Sequence, residues 1–330
     1  MKVQRQQRAW TPESERNYIR RLIATAPPRA RSVLRAFARW LEDDCHRAPG
    51  TVGGQVHCAR QLVTAVCKRR HSSGAKALRR LTAREVEDFF IGYAATNGAG
   101  ARRNMQVALR SLLKFARLRG WIDEGVATAV PSVRRYRLAE LPRALPDADL
   151  ERLLAAVHDD DLDVAIRDRA IVLLLACYGV RRGQASGLRL SDINWRTRTI
   201  LFRPYKRGKA TEHTLVPAVA DALVRYLRTE RSETEDDEFV FLRKSPPHLR
   251  MSPSAVAYAV RRCMRLAGVE PRGPHSLRHA FACRQLRNSR SLKTIADLLG
   301  HRSLAAVAIY AKVDHPRLHE AAVEWPEVRR

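Results

Sequence analysis

The sequence is short of acidic residues and lacks the long apolar segments of exported or membrane proteins. Its 330 residues include 61 Lys and Arg against 34 Asp and Glu, which gives a net charge of +27 at pH 7. The basic N-terminus has no apolar core, and the longest apolar run, 170–180, is too short to span a bilayer. We therefore expect a cytoplasmic protein that has no membrane partner.

The cysteines also lack a recognisable pattern. None of the six forms a C-x-x-C pair, so we expect free thiols in a reducing compartment rather than disulfides or a zinc site. The sequence has neither the P-loop of nucleotide-binding proteins nor a carboxylate cluster suited to metal ions. We accordingly expect neither a cofactor nor a metal.

The positive charge extends over the whole chain rather than lying in one tail. Residues 1–140 carry a net charge of +17 and residues 141–330 carry +10. A field of one sign over both halves favours a long polyanion as partner, and nucleic acid is the first candidate.

The length of the chain predicts two domains. Residues 1–130 show only helical periodicity, as in "RARSVLRAFARWLEDD" at 29–44, and we expect a bundle of four or five helices. Thr82 and Glu85 have the spacing of a helix capping box. The arginines on the polar helix faces suit DNA phosphates, although an ordinary solvated surface would look the same.

Residues 131–146 contain three prolines and four arginines and are predicted to be a linker. From 147 to 330 the pattern predicts a mostly helical domain with one β-hairpin. Ile200 and Phe202 alternate with polar residues, "KRGKAT" is a turn, and apolar residues return at Leu215 and Val216. The later helices are expected near 218–229, 253–267, 276–287, 292–299 and 303–312.

Two basic features of the second domain point to phosphate chemistry. Arg181 follows Gly179 at the end of a buried helix, where a fixed guanidinium can bind a phosphate; a surface arginine is the alternative. Lys206 and Lys209 lie in the hairpin turn, where lysines are usually solvated. A lysine beside a leaving oxygen can nonetheless act as a general acid.

The stretch "HSLRH" places His275, Arg278 and His279 on one helical face. Two histidines four residues apart can bind zinc, but Ser276 stands where the H-E-x-x-H motif requires Glu. A His–Arg face directed at an anion agrees better with the sequence.

His301 and Tyr310 enclose the apolar stretch "GHRSLAAVAIY" at 300–310. His301 lies in the bend between two predicted helices, and Tyr310 falls nine residues later. By itself this tyrosine is typical of a core aromatic at helical spacing.

Taken together, these stretches resemble the catalytic domain of the tyrosine recombinases, the phage integrase family. Members carry an Arg in a G-x-R segment, a hairpin Lys, H-x-x-R on a helix, and G-H followed nine residues later by Tyr. The matching positions here are Arg181, Lys206, His275, Arg278, His301 and Tyr310. The resemblance covers the whole second domain, whereas the first resembles the family's core-binding domain by position and composition only.

The resemblance implies a mainly α fold: a helical N-terminal core-binding (SAM-like) domain at 1–130, then a mixed, mostly helical catalytic domain at 147–330 with a small antiparallel sheet. It also implies a site-specific DNA recombinase or integrase, as found in mobile elements, that cuts and rejoins double-stranded DNA through a 3′-phosphotyrosine. The implied assembly is a homotetramer on two DNA sites, with segment 315–325 docking on a neighbouring subunit or folding back on its own domain.

In such an enzyme Tyr310 is the nucleophile, His275 its general base, and Lys206 the general acid. Arg181, Arg278 and His301 bind the phosphate oxygens. Two departures qualify the match. Gln184 replaces the Glu that members usually carry three residues after the first Arg, and the hairpin is about three residues longer than usual, so Lys209 is an alternative to Lys206. A DNA-binding protein of the same fold with impaired catalysis and a type IB topoisomerase are the alternative functions.

Overall fold

The structure is a computed structural model that describes residues 12–132, 144–204, 209–232, 238–301, 303, 304 and 307–310. The described residues divide into two compact units, the first made of 12–132 and the second of the described residues from 144 to 310. No described helix combines the length and the apolar character needed to cross a membrane.

The described part of the first unit is entirely helical. Its elements are α1 (Pro12–Ala24), α2 (Pro28–Arg39) with a π-helical turn at Trp40–Asp44, α3 (Pro49–Arg70), α4 (Gly74–Leu78), α5 (Ala83–Thr96), α6 (Ala99–Leu118) and α7 (Glu124–Thr128). The long helix α3 packs against α1, α2 and α6 and forms the centre of the bundle. Helix α1 and the short helices α4 and α7 are additional to those predicted from periodicity.

An aromatic cluster and a helix cap stabilise the first unit. The ring of Phe115 packs against the rings of Phe37, Trp40 and Trp121 at centroid distances of 5.5–5.7 Å, which ties α2 to α6 and the chain after α6. The predicted capping box is confirmed: the Glu85 amide donates to Thr82 Oγ1 at 3.3 Å, and the Thr82 amide donates to Glu85 Oε2 at 2.9 Å.

The second unit is mostly helical and carries one small sheet. Its elements are α8 (Asp147–His158), α9 (Ile166–Tyr178), α10 (Arg182–Ser186), a 3₁₀ turn (Leu190–Asp192), β1 (Ile193–Asn194), β2 (Thr199–Phe202), β3 (Thr211–Thr214), α11 (Pro217–Thr229), α12 (Pro253–Leu266), α13 (His275–Arg287) and α14 (Leu292–Leu298). This mainly α architecture with an antiparallel sheet confirms the fold class predicted from the sequence.

The sheet has the order β1-β2-β3, and all its pairs are antiparallel. The predicted hairpin is β2–β3, in register from Thr199 opposite Thr214 to Phe202 opposite Thr211. The two-residue strand β1, which was not predicted, pairs with the other edge of β2. Residues 205–208 of the hairpin turn, including Lys206, lie outside the described part of the chain.

Helix α9 is the centre of the second unit. It is apolar on nearly every side and packs against α8, α11, α12 and α13, as expected for a helix surrounded by other elements. A smaller apolar cluster lies beside this core and joins α13 and α14 to the segment that ends at Tyr310. Its buried members are Phe281, Ala282, Leu286, Ile295, Ala296, Leu299, Val307 and Tyr310.

The predicted helix at 303–312 is wrong for the residues that the structure describes. Residues 303, 304 and 307–310 form turns and 3₁₀ geometry, with the amides of Val307 and Tyr310 donating to carbonyls three residues back, each at 2.9 Å. A 3₁₀ turn places residues i and i+3 above one another. This spacing allows Val307 and Tyr310 to be buried in the same cluster.

Gly179 sets the direction in which the chain leaves α9. Its φ of +60° is left-handed, and its amide donates to the Leu175 carbonyl at 3.0 Å, which ends the helix. A Cβ atom at this position would lie 2.6 Å from the ring of Phe281. The residue therefore needs glycine for both its conformation and the space around it.

Substitution of Gly179 tests this constraint against a matched glycine. Gly268 has a similar φ of +64°, but a Cβ there would meet nothing within 4 Å. We expect Gly268→Ala to lower the free energy of unfolding by about 1 kcal/mol and Gly179→Ala by about 2–4 kcal/mol, because only the latter adds overpacking to backbone strain. Urea unfolding of both variants measures the difference, and equal losses would contradict the close packing at Gly179.

Candidate active site

Arg278 is the buried cation around which the site is organised. Its side chain extends from α13, and the residue is only 4% exposed. One guanidinium nitrogen donates to the Gly179 carbonyl at 2.7 Å and another to the Leu299 carbonyl at 2.8 Å. The side chain thus connects the end of α9 to the end of α14.

Arg181 brings a second guanidinium to the same place. It is the N-cap residue of α10, and its Nη1 donates to the Leu299 carbonyl at 3.5 Å. Neither arginine forms an ion pair with a carboxylate in the described part of the chain. Burial and, for Arg278, the charge of Arg181 lower the pKa of both groups, that of Arg278 to about 9, so both remain protonated at neutral pH. Two adjacent cations without a counter-charge favour an anionic ligand.

The side chain of Gln184 binds the backbone of Arg181. Its Oε1 accepts a hydrogen bond from the Arg181 amide at 3.1 Å, and its Nε2 donates to the Arg203 carbonyl at 3.2 Å. The side chain is buried. An ionised Glu could make the first bond but not the second, because a carboxylate has no proton to donate. In this chain the amide therefore serves two backbone partners.

His301 is held in place by Arg278. Gly300, with φ of +63°, turns the chain after α14, and His301 Nε2 lies 2.6 Å from Arg278 Nη2. Since arginine only donates, Nε2 is the acceptor and the proton is on Nδ1. Burial and the charges of Arg278 and Arg181, with His279, lower the pKa of His301 to about 4, so the imidazole is neutral at neutral pH.

The same bend packs against the hairpin. A Cβ atom on Gly300 would lie 2.9 Å from the Lys209 carbonyl oxygen, and the Lys209 amide donates to the Gly300 carbonyl at 3.5 Å. The side chain of Lys209 is exposed and lines a cavity together with His301. The Lys209 end of the hairpin turn therefore lies at the site, while Lys206 falls outside the described residues.

His275 begins α13 on the arginine side of the site. The residue is exposed, and its pKa is lowered by partial desolvation and by the nearby charges of Arg278, Arg182 and Arg181. Zinc binding by His275 and His279 gains no support, because the described residues contain no group of three or more potential metal ligands. The charges around His275 suit a phosphate instead.

Tyr310 lies against α13 at His279, one turn beyond His275. The residue is 2% exposed, and its Oη is 3.0 Å from His279 Nδ1, with the two rings 5.6 Å apart. Burial and Cys283 raise the pKa of the phenol to about 12, against the opposing charges of Arg278 and Arg181. Tyr310 is thus both a core aromatic and a member of the polar site.

The structure brings most of the predicted site residues together. Arg181 and Arg278 both donate to the Leu299 carbonyl, and His301 accepts from Arg278. The charges of both arginines also act on His275 and Tyr310. Sequence reasoning missed the proximity of Arg182 to His275 and the contact of His279 with Tyr310. The second histidine of "HSLRH" was the available signal for that contact, because it lies one turn beyond His275 on the same face.

Comparison with known proteins identifies the family of the chain. The model of the phage integrase family matches residues 143–317. The tyrosine recombinase XerC of Methylobacterium sp. is 33% identical over 320 residues, covering 91% of this chain and 97% of that protein. Two relatives from Sinorhizobium fredii, y4rA and y4rF, are 36% and 34% identical, and the chain spans 63% and 61% of their lengths.

Two solved structures share the fold. XerH recombinase bound to its difH substrate has a TM-score of 0.63 at 20% identity, covering 92% of this chain and 98% of that chain. A lambda integrase dimer bound to a core site has a TM-score of 0.64 at 18% identity, covering 90% and 99%. The chain belongs to the phage integrase family, the tyrosine-type site-specific recombinases.

Partly desolvated histidines make stability depend on pH. The pKa values of His213, His275, His279 and His301 are all lowered in the folded protein, that of His301 to about 4, from an ordinary 6.5. As the pH falls below 6.5 the unfolded chain therefore binds protons first, and the folded state loses stability until the folded pKa is reached.

We expect the free energy of unfolding to fall between about pH 6.5 and about pH 4, with His301 contributing on the order of 1–2 kcal/mol after solvent screening. Urea unfolding of the wild type and of His301→Asn across this range measures that contribution. The variant should show the shallower dependence, and two identical slopes would contradict the lowered pKa of His301.

Proposed function

We propose that this protein is a site-specific DNA recombinase that cuts and rejoins double-stranded DNA through Tyr310. The observation that carries the proposal is the cluster in which Arg181 and Arg278 donate to one carbonyl and His301 accepts from Arg278. The charges of both arginines act on the buried Tyr310. Membership of the phage integrase family supports it. The net charge of +27 supplies the attraction for DNA.

The two arginines bind the non-bridging oxygens of the scissile phosphate. Charge accumulates on these oxygens as the phosphorus becomes five-coordinate, and donors aimed at developing charge typically contribute about 3–4 kcal/mol each. His301 adds a neutral donor through Nδ1, because Nε2 already accepts from Arg278. Phosphate binding also supplies the counter-charge that the paired guanidinium groups lack.

Tyr310 supplies the nucleophile. Its oxygen forms a bond to phosphorus, the bond from phosphorus to the 5′-oxygen breaks, and Lys206 protonates the leaving oxygen. The product is a 3′-phosphotyrosine that keeps the energy of the broken phosphodiester, so a free 5′-hydroxyl can reverse the reaction without nucleotide hydrolysis. The family resemblance makes His275 the proton acceptor, although its position among arginines equally suits donation to a phosphate oxygen.

The proposed partners are double-stranded DNA and further copies of the chain. XerH and lambda integrase, which share the fold, were solved on DNA, the latter as a dimer. We propose a homotetramer on two DNA sites, acting in the cytoplasm. Segment 315–325, proposed to dock on a neighbour, lies outside the described residues.

Covalent attachment to DNA tests the proposed function. The probes are duplexes selected by the protein from a random-sequence pool, then nicked near the candidate crossover point so that cleavage cannot be reversed. We expect the wild type to form a covalent protein–DNA adduct and Tyr310→Phe to form none. Tyr258→Phe, at a tyrosine that is 60% exposed on α12, is the matched control and should react like the wild type.

The alternatives give different results in the same assay. Tight binding without any adduct would favour the DNA-binding protein with impaired catalysis. Relaxation of supercoiled DNA without a preferred sequence would favour the topoisomerase. An adduct formed by Tyr310→Phe would contradict the assignment of the nucleophile.

The general acid is tested with a leaving group that does not need a proton. We expect Lys206→Ala to slow adduct formation by about 10²-fold or more and a 5′-bridging phosphorothiolate to restore the rate, because a thiolate departs unprotonated. Lys209→Ala should change the rate less. The reverse pattern would assign the role to Lys209, and full rates for both variants would exclude a hairpin lysine as the acid.

A further inference from the structure

His279 is the polar side chain that contacts the hydroxyl of the proposed nucleophile. Its Nδ1 lies 3.0 Å from Tyr310 Oη, within hydrogen-bonding distance, and the rings are tilted by 59° at a centroid separation of 5.6 Å. No other hydrogen bond to this hydroxyl occurs among the described residues. A proton acceptor for the phenol must be within such reach.

The surroundings of the two helix histidines differ. His275 is exposed at the start of α13, and the charges that act on it are those of three arginines. His279 is half-buried one turn further along, where the burial of Tyr310 excludes solvent from the hydroxyl. Water is therefore a poor proton acceptor for Tyr310, and an imidazole already stands at the hydroxyl.

The protonation state of His279 fits an acceptor. Its pKa is lowered by burial and by the neighbouring His275 and Arg278, so the imidazole is neutral at neutral pH. A phenol with its pKa raised to about 12 keeps its proton. The phenol is then the donor in this hydrogen bond, and Nδ1 presents its lone pair to it.

We propose that His279 is the catalytic base that takes the proton of Tyr310 when the tyrosine attacks the scissile phosphate. This assignment rests on the proposed function and replaces His275 in that role. The O–H bond of Tyr310 breaks, its proton moves to His279 Nδ1, and the phenolate oxygen forms the bond to phosphorus as the 5′-oxygen leaves. In the rejoining step the same proton returns to the phenolate.

The charges at the site make proton transfer from Tyr310 to His279 depend on a bound DNA phosphate. An imidazolium at position 279 is disfavoured by Arg278 and His275 while the site is empty. A bound phosphate brings negative charge to Arg181 and Arg278 and so reduces that repulsion. His279 therefore accepts the proton once DNA is bound, and His275 is left to donate to a phosphate oxygen.

Single-turnover adduct formation on the nicked duplexes tests the assignment. We expect His279→Asn, which keeps a polar group near the Nδ1 position but cannot be protonated, to slow the reaction by about 10²–10⁴-fold without changing DNA affinity. His158→Asn, at an exposed histidine at the end of α8, is the matched control and should keep the wild-type rate. A wild-type rate in His279→Asn would overturn the proposal.

The pH dependence separates a base from a structural residue. The groups acting on His279 are His275 and Arg278 on α13 and Tyr310 and His301 on the last described segment, and Cys283 acts on Tyr310. We expect the wild-type rate to fall on the acid side below about pH 6.5 and this limb to be absent in His279→Asn but present in His275→Asn. Loss of the limb in His275→Asn alone would overturn the proposal.

Nitrogen-15 NMR of labelled histidines in the DNA-free protein provides a measurement independent of activity. Tyr310→Phe removes the donor and should shift the Nδ1 resonance of His279; an unchanged resonance would overturn the proposal. A wild type that forms no adduct overturns the proposed function and this assignment with it. A reactive wild type with an equally reactive His279→Asn overturns this assignment alone.

Discussion

The two hydrogen bonds from Arg278 to the carbonyls of Gly179 and Leu299 hold together the segments that carry Arg181 and His301. They join the end of the central helix α9 to the end of α14, which are far apart in sequence. Gly179 must be glycine for its carbonyl to be presented in this way, since its φ is positive and Phe281 fills the space beside it. The position of His301 follows, because its imidazole accepts from the same guanidinium.

Burying the Arg278 guanidinium against neutral carbonyls and beside Arg181 costs free energy. In the described part of the chain no ion pair with a carboxylate offsets this cost. The core of α9 and the apolar cluster around Tyr310 supply the compensating stability. Arrangements of this kind are found where a ligand provides the missing charge. The fold therefore keeps an electrostatically unfavourable site ready for an anion.

Much of the fold and of the site could be predicted from the sequence, because the signals for both lie in patterns of residues that are close in sequence. Helical periodicity predicted α2, α12 and α13, and the alternation at Ile200 and Phe202 predicted the hairpin. The spacings of Arg181, Arg278, His301 and Tyr310 indicated one family. What could not be predicted depends on contacts between distant segments. Which histidine contacts Tyr310 depends on how the last described segment packs on α13. The 3₁₀ geometry of that segment accompanies the burial of Val307 and Tyr310 in one cluster. The two partners of Gln184 likewise require α10 and the end of β2 to be adjacent.

The contact between Gly300 and the start of β3 has a mechanical consequence. A Cβ atom on Gly300 would lie 2.9 Å from the Lys209 carbonyl oxygen and 3.3 Å from the Thr211 side chain. The start of β3 and the bend at Gly300 are therefore closely packed. Because Gly300 is in direct contact with this segment, a displacement of the start of β3 would also displace Gly300 and the neighbouring His301.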